Sequence, residues 1–214
     1  MLFRALSTND FSRIEEYLHK NKIRLLICDL NGVLDNYYVH KEQLIKSILG
    51  ETLSKSLFAD IMIAIERDYM SDRSSTIESS ITRFLREKGI NLEQTQQNRN
   101  RKTIDDLSIT ADAKVFLDNL SVDIVIYTSM PRSRATQLFT NTQPSLFCRE
   151  DSDGQKPSVN DIRALMRKYR RSPNETCVVG DGLIDDLMPA SLLGTHTLLT
   201  SPYARRLVSS QNNT

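Results

Sequence analysis

The sequence is almost without net charge: 28 Lys and Arg stand against 27 Asp and Glu, a formal +1 over 214 residues. That balance supplies no global field for nucleic acid or an anionic membrane, so neither is expected as a partner. Cysteine is scarce: the three, Cys28, Cys148 and Cys177, each lie in or beside an apolar run, and no Cys-x-x-Cys spacing occurs. They read as buried thiols in a reducing compartment. His19, His40 and His196 have no metal-ligand spacing with them and read as surface or core histidines. Long hydrophobic runs are also missing, the longest being a handful of residues against the ~20 that span a bilayer. The first residues, "MLFRALSTNDFSRIEEYLHKNK", lack the basic start, unbroken apolar stretch and small-residue cleavage site of a secretory leader. A soluble, cytoplasmic protein is the expectation, with no internal repeat and no low-complexity block.

What is present is an alternation of two periodicities. Phe11, Ile14, Tyr17 and Leu18 recur at helical spacing behind the capping side chains of Ser7 to Asp10. Ile23 to Cys28 is a short, nearly continuous apolar run, the pattern of a strand covered on both faces. From about His40 to Ile104 only helical periods appear: Leu44, Ile45, Ile48, Leu49; Phe58, Ile61, Met62, Ile65, Tyr69; Ile77, Ile81, Phe84, Leu85. Gly50 and Gly89 are helix stops, and Asn91 to Lys102 is a polar loop or solvated helix, so this stretch reads as an insertion of three or four helices. After Ala111 helices and strands alternate. A helix runs to Asn119, then come the strand "VDIVIYT", a helix with Pro131 in its first turn, a weak strand at Leu146 to Cys148, and a helix from Pro157 to Tyr169. The strand "TCVVGD", a helix through Leu193 and the strand "THTLL" complete the series. Alternation of this kind predicts a parallel sheet sandwiched by helices.

In an open parallel sheet, ligands bind beyond the carboxyl ends of the strands. Asp29 and Asn31 follow the first apolar strand, Thr128 and Ser129 the second, and Asp181 the "TCVVGD" strand, with Asp185 and Asp186 one helical turn later; Lys156 precedes the "Pro157" helix. Asp29, Asp181 and either Asp185 or Asp186 offer hard oxygen ligands suited to Mg2+, which favours few carboxylates plus waters and a substrate phosphate. A lysine, a hydroxyl and the start of the helix at Pro131 suit the non-bridging oxygens of a phosphoryl group. A carboxylate aimed at such a phosphorus is a competent nucleophile.

These segments resemble the four motifs of the haloacid dehalogenase superfamily, mostly Mg2+-dependent phosphatases with a Rossmann-like core. "DLNGVL" is similar to the first, Asp-x-Asp-Gly-(Thr/Val)-Leu; "IVIYTS" to the second; "QKP" to the third; and "VVGDGLIDD" to the fourth. The resemblance implies an α/β core of residues 1–38 and 106–214 and a helical cap of residues 39–105. It also implies Asp29 as nucleophile, Thr128 (with Ser129 the alternative) and Lys156 as phosphate-binding groups, and Asp29, the Asn31 backbone carbonyl, Asp181 and Asp186 as Mg2+ ligands. Asp186 is preferred to Asp185 on the spacing from Asp181 to Gly194. The expected substrate is a small phosphorylated metabolite, with Tyr37, Tyr38 and the cap helices as candidate selectors.

The departure from the pattern is Asn31, which stands where phosphatases of that family carry the aspartate that protonates the leaving group and later activates water. Such assistance is worth ~10²–10⁴ in rate. Four explanations are open: a deliberate Asp-to-Asn replacement that traps substrate; leaving groups that need no proton, as in acyl phosphates; dehalogenase or phosphonatase chemistry; and a catalytically inactive phospholigand-binding protein. The acid-rich "GDGLIDD" disfavours the dehalogenase, and neither Lys46 nor Lys55 is marked as the lysine a phosphonatase requires. The run Arg167 to Arg171 reads as a helix C-terminal complement, with a nucleic-acid footprint the alternative, and Arg132 and Arg134 as a solvated face beside the second motif, with reach to a second phosphate the alternative.

Overall fold

A computed structural model describes residues 4–6, 11–49, 54–71, 77–89, 107–139, 144–152, 156 and 158–200. The chain divides into two compact units, Met1–Asn36 with Leu107–Thr214, and Tyr37–Asp106.

The larger unit is built on β1 (Arg4–Leu6), β2 (Leu25–Cys28), β3 (Asp123–Tyr127), β4 (Ser145–Phe147), β5 (Thr176–Gly180) and β6 (His196–Thr200). Every pairing is parallel, in the order β1-β6-β5-β2-β3-β4. Parallel strands need crossovers, and helices of this unit, α1 (Phe11–Lys20), α5 (Ala111–Asn119), α6 (Arg132–Leu138), α7 (Val159–Tyr169) and α8 (Met188–Leu192), cover both faces. The two-residue period of a strand sorts the core. Leu26, Cys28, Ile126, Cys177, Val179 and Leu198 bury against Ile14, Leu18, Ala113, Phe116 and Ala135. Leu25, Ile27, Val125, Tyr127, Val178 and Leu199 bury on the other side with Ile162, Leu165, Leu187 and Ala190. Chain order reverses at β2, which lies between β3 and β5, and the crevice at such a switch point is where an open α/β sheet places its ligand.

Several expectations shift in detail. β1 was absent from the sequence-based pattern, because three residues of edge strand carry too short a signal for a periodicity to register. Pro131 is the residue before α6, not inside its first turn: its ψ of 142° is extended, and Arg132 is the first helical residue. The continuous helix expected through Leu193 is a π-helical turn, Leu183–Leu187, followed by α8. Gly50, Ser7 to Asp10 and Asn91 to Lys102 lie outside the described residues.

In the second unit the described helices are α2 (Tyr37–Leu49), α3 (Lys55–Ser71) and α4 (Ile77–Glu87). α3 packs on α4, and the helically spaced Phe58, Ile61, Met62, Ile65, Ile81, Phe84 and Leu85 are buried. Buried Asp68 of α3 is paired with Arg83 of α4 at 3.2 Å. No described helix in either unit is long and apolar enough to cross a membrane.

The cysteines are buried and reduced. Burial pushes the Cys28 and Cys177 thiols well above their ordinary value, with the neighbouring Asp29 adding to the effect at Cys28; Cys148 is also raised, again chiefly by burial. Since the thiolate is the reactive form, a thiol reagent at neutral pH should leave all three unmodified in the native protein and label all three in denaturant. Rapid native-state labelling of Cys28 would contradict the packing of β2.

Candidate active site

β2 delivers Asp29 to the switch point, with its N–H donating to the Val179 carbonyl of β5 at 2.8 Å. The turn that follows is fixed by apolar anchors and one carboxylate. Leu30, Val33 and Leu34 are buried in the core, and Gly32 takes the left-handed φ of 77° that favours glycine. Asp35 accepts the Gly32 N–H at 2.8 Å and the Asn31 side-chain amide at 2.7 Å. The Asn31 side chain therefore has a partner that suits an amide: an aspartate at the same place would set two carboxylates against each other, a repulsion that favours keeping one of them protonated.

β5 ends at Gly180, and Asp181 follows. The π-helical turn then swings Asp186 back over the strand end, where its Oδ2 accepts the Gly182 N–H at 3.0 Å. Wide turns of this type occur often at functional sites. The result brings carboxylate oxygens of Asp29, Asp181 and Asp186 within 4.8 Å of one another. Asp185, in the same turn, is not one of these three.

Lys156 meets this cluster from the segment before α7. Its Nζ donates to Asp29 Oδ1 at 2.5 Å and to Asp186 Oδ1 at 2.8 Å, and it lies 4.4 Å from the centre of the Tyr127 ring. All three groups are nearly out of water: Asp29 is 9% exposed and Asp186 3%, and the Lys156 side chain is 8% exposed. Burial alone would depress the lysine, but the charges of Asp186 and Asp29 and their hydrogen bonds outweigh it and raise its pKa, so it is an ammonium. Asp29 is pushed up to about 7, first by burial and then by the charge of Asp186, with Lys156 opposing. Both directions follow from one imbalance. A single ammonium is shared between carboxylates that outnumber it, so it is held tightly while one acid is left undercompensated.

Thr128 is buried at the end of β3, where its N–H donates to the Phe147 carbonyl at 3.0 Å and its Oγ1 accepts the Met130 N–H at 3.1 Å. Ser129 is exposed. Arg132 is engaged elsewhere: its backbone N–H meets Glu150 and its guanidinium meets Asp151. His196 is bonded to the Tyr17 hydroxyl at 2.8 Å, and Arg171 to Asp123 at 2.8 Å.

Motif reading assigned no part to Asp35, Tyr127 or Asp161, and it placed Gly180 in the fourth motif without giving it a role. Asp35 stands four residues beyond Asn31, a helical-turn spacing, which was the available signal. Gly180 is required by space: a Cβ there would lie 2.3 Å from the Asp186 Cβ and 2.4 Å from its Oδ2. Gly180→Ala should therefore displace Asp186 and lower stability by about 1–3 kcal/mol, the range for overpacking, measured by denaturant unfolding; an unchanged midpoint would mean that Asp186 does not rest on Gly180.

No family model matches the sequence, and no curated protein matches it either. Solved structures do match. A conserved haloacid dehalogenase-like protein of unknown function from Agrobacterium tumefaciens superposes with a TM-score of 0.58 at 18% identity, over 88% of this chain and 90% of that one. A putative HAD-hydrolase from Bacillus subtilis, bound to magnesium, gives 0.50 at 18% identity over 82% and 85%. A putative phosphoglycolate phosphatase from Lactobacillus plantarum gives 0.53 at 14% identity over 86% and 91%. Dehalogenases are also among the matches. The chain has the fold of the haloacid dehalogenase-like hydrolases.

Proposed function

We propose that the protein is a Mg2+-dependent phosphohydrolase that uses Asp29 as its nucleophile and acts on small phosphorylated metabolites with good leaving groups. The observation that carries this reading is the shared Lys156 ammonium, set between Asp29 and Asp186 beside Asp181. Three carboxylates facing one ammonium leave an excess of negative charge, and their oxygens are the hard donors Mg2+ takes. Asp29, Asp181 and Asp186 would hold the ion, with Asp185 outside that set. When bound, the ion supplies charge neutralisation at the phosphate oxygens.

The chain's own groups do the rest. A carboxylate oxygen of Asp29 attacks phosphorus, the bond to the leaving oxygen breaks, and an aspartyl phosphate results. Lys156 takes up the negative charge on the transferred group, and the Thr128 hydroxyl orients it. Water then cleaves the phosphorus–Asp29 bond, releasing inorganic phosphate and restoring the carboxylate. The Asn31 amide cannot protonate the departing oxygen, so acyl or aryl phosphates suit this site and alkyl esters do not. Burial of the acid pair favours a slender phosphomonoester over a bulky phosphoprotein.

A second reading, phospholigand binding without turnover, is favoured by the Asn31–Asp35 hydrogen bond, which gives the amide a structural employment of its own.

Phosphate release with and without Mg2+ separates the two. Acyl phosphates should be hydrolysed by the chain as it stands, Asp29→Asn should abolish this, and Asn31→Asp should raise turnover of alkyl esters by ~10²–10⁴. Phosphate binding with no release by either chain would establish the binder instead.

Mg2+ affinity should also depend on pH with a defined sign. Below about 7 Asp29 holds its proton and is a poor ligand, whereas above it the carboxylate is free to coordinate. Affinity measured by calorimetry should rise with pH through about 7 and then level off; a flat profile would remove Asp29 from the ligand set.

A further inference from the structure

Lys156 belongs to a segment between β4 and α7 whose two ends, Ser152 and Ser158, both bond to one residue. Ser152 Oγ donates to Asp161 Oδ2 at 2.6 Å, and the Asp161 N–H donates to Ser158 Oγ, the N-cap of α7, at 3.1 Å. The same Oδ2 accepts the Tyr127 hydroxyl at 3.0 Å. An acid in the first turn of a helix is ordinary. This one is buried, and both donors to its Oδ2 come from outside α7.

Tyr127 completes the arrangement. It is the last residue of β3, immediately before Thr128, and strand alternation turns its ring onto the face shared with Ile27 and Val178. Phe147 meets that ring edge-on at 5.6 Å between centroids. The Lys156 ammonium thus has two carboxylates on one side and an aromatic face 4.4 Å away, with the ring's hydroxyl tied to the residue that fastens both ends of the lysine's own segment.

The geometry points to Tyr127 and Asp161 as positioning residues that hold the Lys156 ammonium over the strand ends: the ring as a cation–π platform, the carboxylate as a staple for segment and ring together. The inference deepens the phosphohydrolase reading and takes from it only that Lys156 meets the phosphate. A lysine on a flexible stem loses considerable freedom on being fixed, and a desolvated ring face both limits its rotamers and favours its charge.

Amine acylation of the native protein, read lysine by lysine by mass spectrometry, follows Lys156 without requiring turnover, with exposed Lys20 and Lys114 as internal references. Lys156 should label slowly. Tyr127→Leu should raise its rate about tenfold, the scale of a desolvated cation–π contact, while Tyr127→Phe, which keeps the ring and loses the tether, should fall between. Asp161→Ala should raise it as well and decides the matter if Tyr127→Leu does not fold. On an acyl phosphate, Tyr127→Leu should lower kcat by about the same factor with Mg2+ affinity retained, a split that general destabilisation would not produce. Folded Tyr127→Leu and Asp161→Ala proteins whose Lys156 labels as slowly as the parent's would overturn the proposal. If labelling responds as expected but no chain releases phosphate, the positioning role stands and the phosphohydrolase reading falls.

Discussion

The interaction on which the rest depends is the Lys156 ammonium shared between Asp29 and Asp186. Buried carboxylates are costly without compensation, and leaving one unpaired in the interior is costlier still. Here three segments distant in sequence, the end of β2, the π-helical turn after β5 and the stretch before α7, are drawn to one point by a single positive charge. The apolar sheet makes that point dry, and the dryness strengthens each contact. The site and the fold are therefore not separable: the core that excludes water from β2 and β5 also sets the electrostatics of the acids at their ends.

The same view gives Asn31 a physical context. In the first turn, Asp35 is buried and takes two N–H donors, one from the backbone and one from the Asn31 side chain. The amide satisfies a carboxylate that an acid in its place would oppose. The turn that carries Asp29 is internally consistent with asparagine at position 31, whose amide is accommodated in the packing of its neighbours.

Much of this was legible in the sequence, because apolar runs ending in polar residues mark strands of a parallel sheet and the positions beyond them. The existence of β2, β3, β5 and β6 along the chain and the placement of Asp29, Thr128 and Asp181 at strand ends follow from that pattern; the order of the strands within the sheet does not. What was not legible depends on contacts between segments far apart. Nothing local tells that Tyr127 lies under Lys156, that Asp161 serves groups outside its own helix, or that a π-helical turn selects Asp186. Spacing had favoured Asp186 over Asp185, but a count along the chain carries no direction, whereas the widened turn does. β1 was missed for a simpler reason: an edge strand of three residues is recognised by its partner, and that partner, β6, lies at the other end of the chain.

The strand order also dictates a sequence of events in time. β2 is synthesised early, yet its partners are β3, reached at Asp123, and β5, reached at Thr176. Until those residues exist, Leu25 to Cys28 have no neighbours with which to pair, and non-local parallel pairing of this type is slow to form. During synthesis the strand that carries Asp29 must wait as an unpaired apolar segment, exposed to association with other chains. The whole stretch from Leu30 to Val122, which lies between β2 and β3, thus sets how long that strand stays unpaired during synthesis.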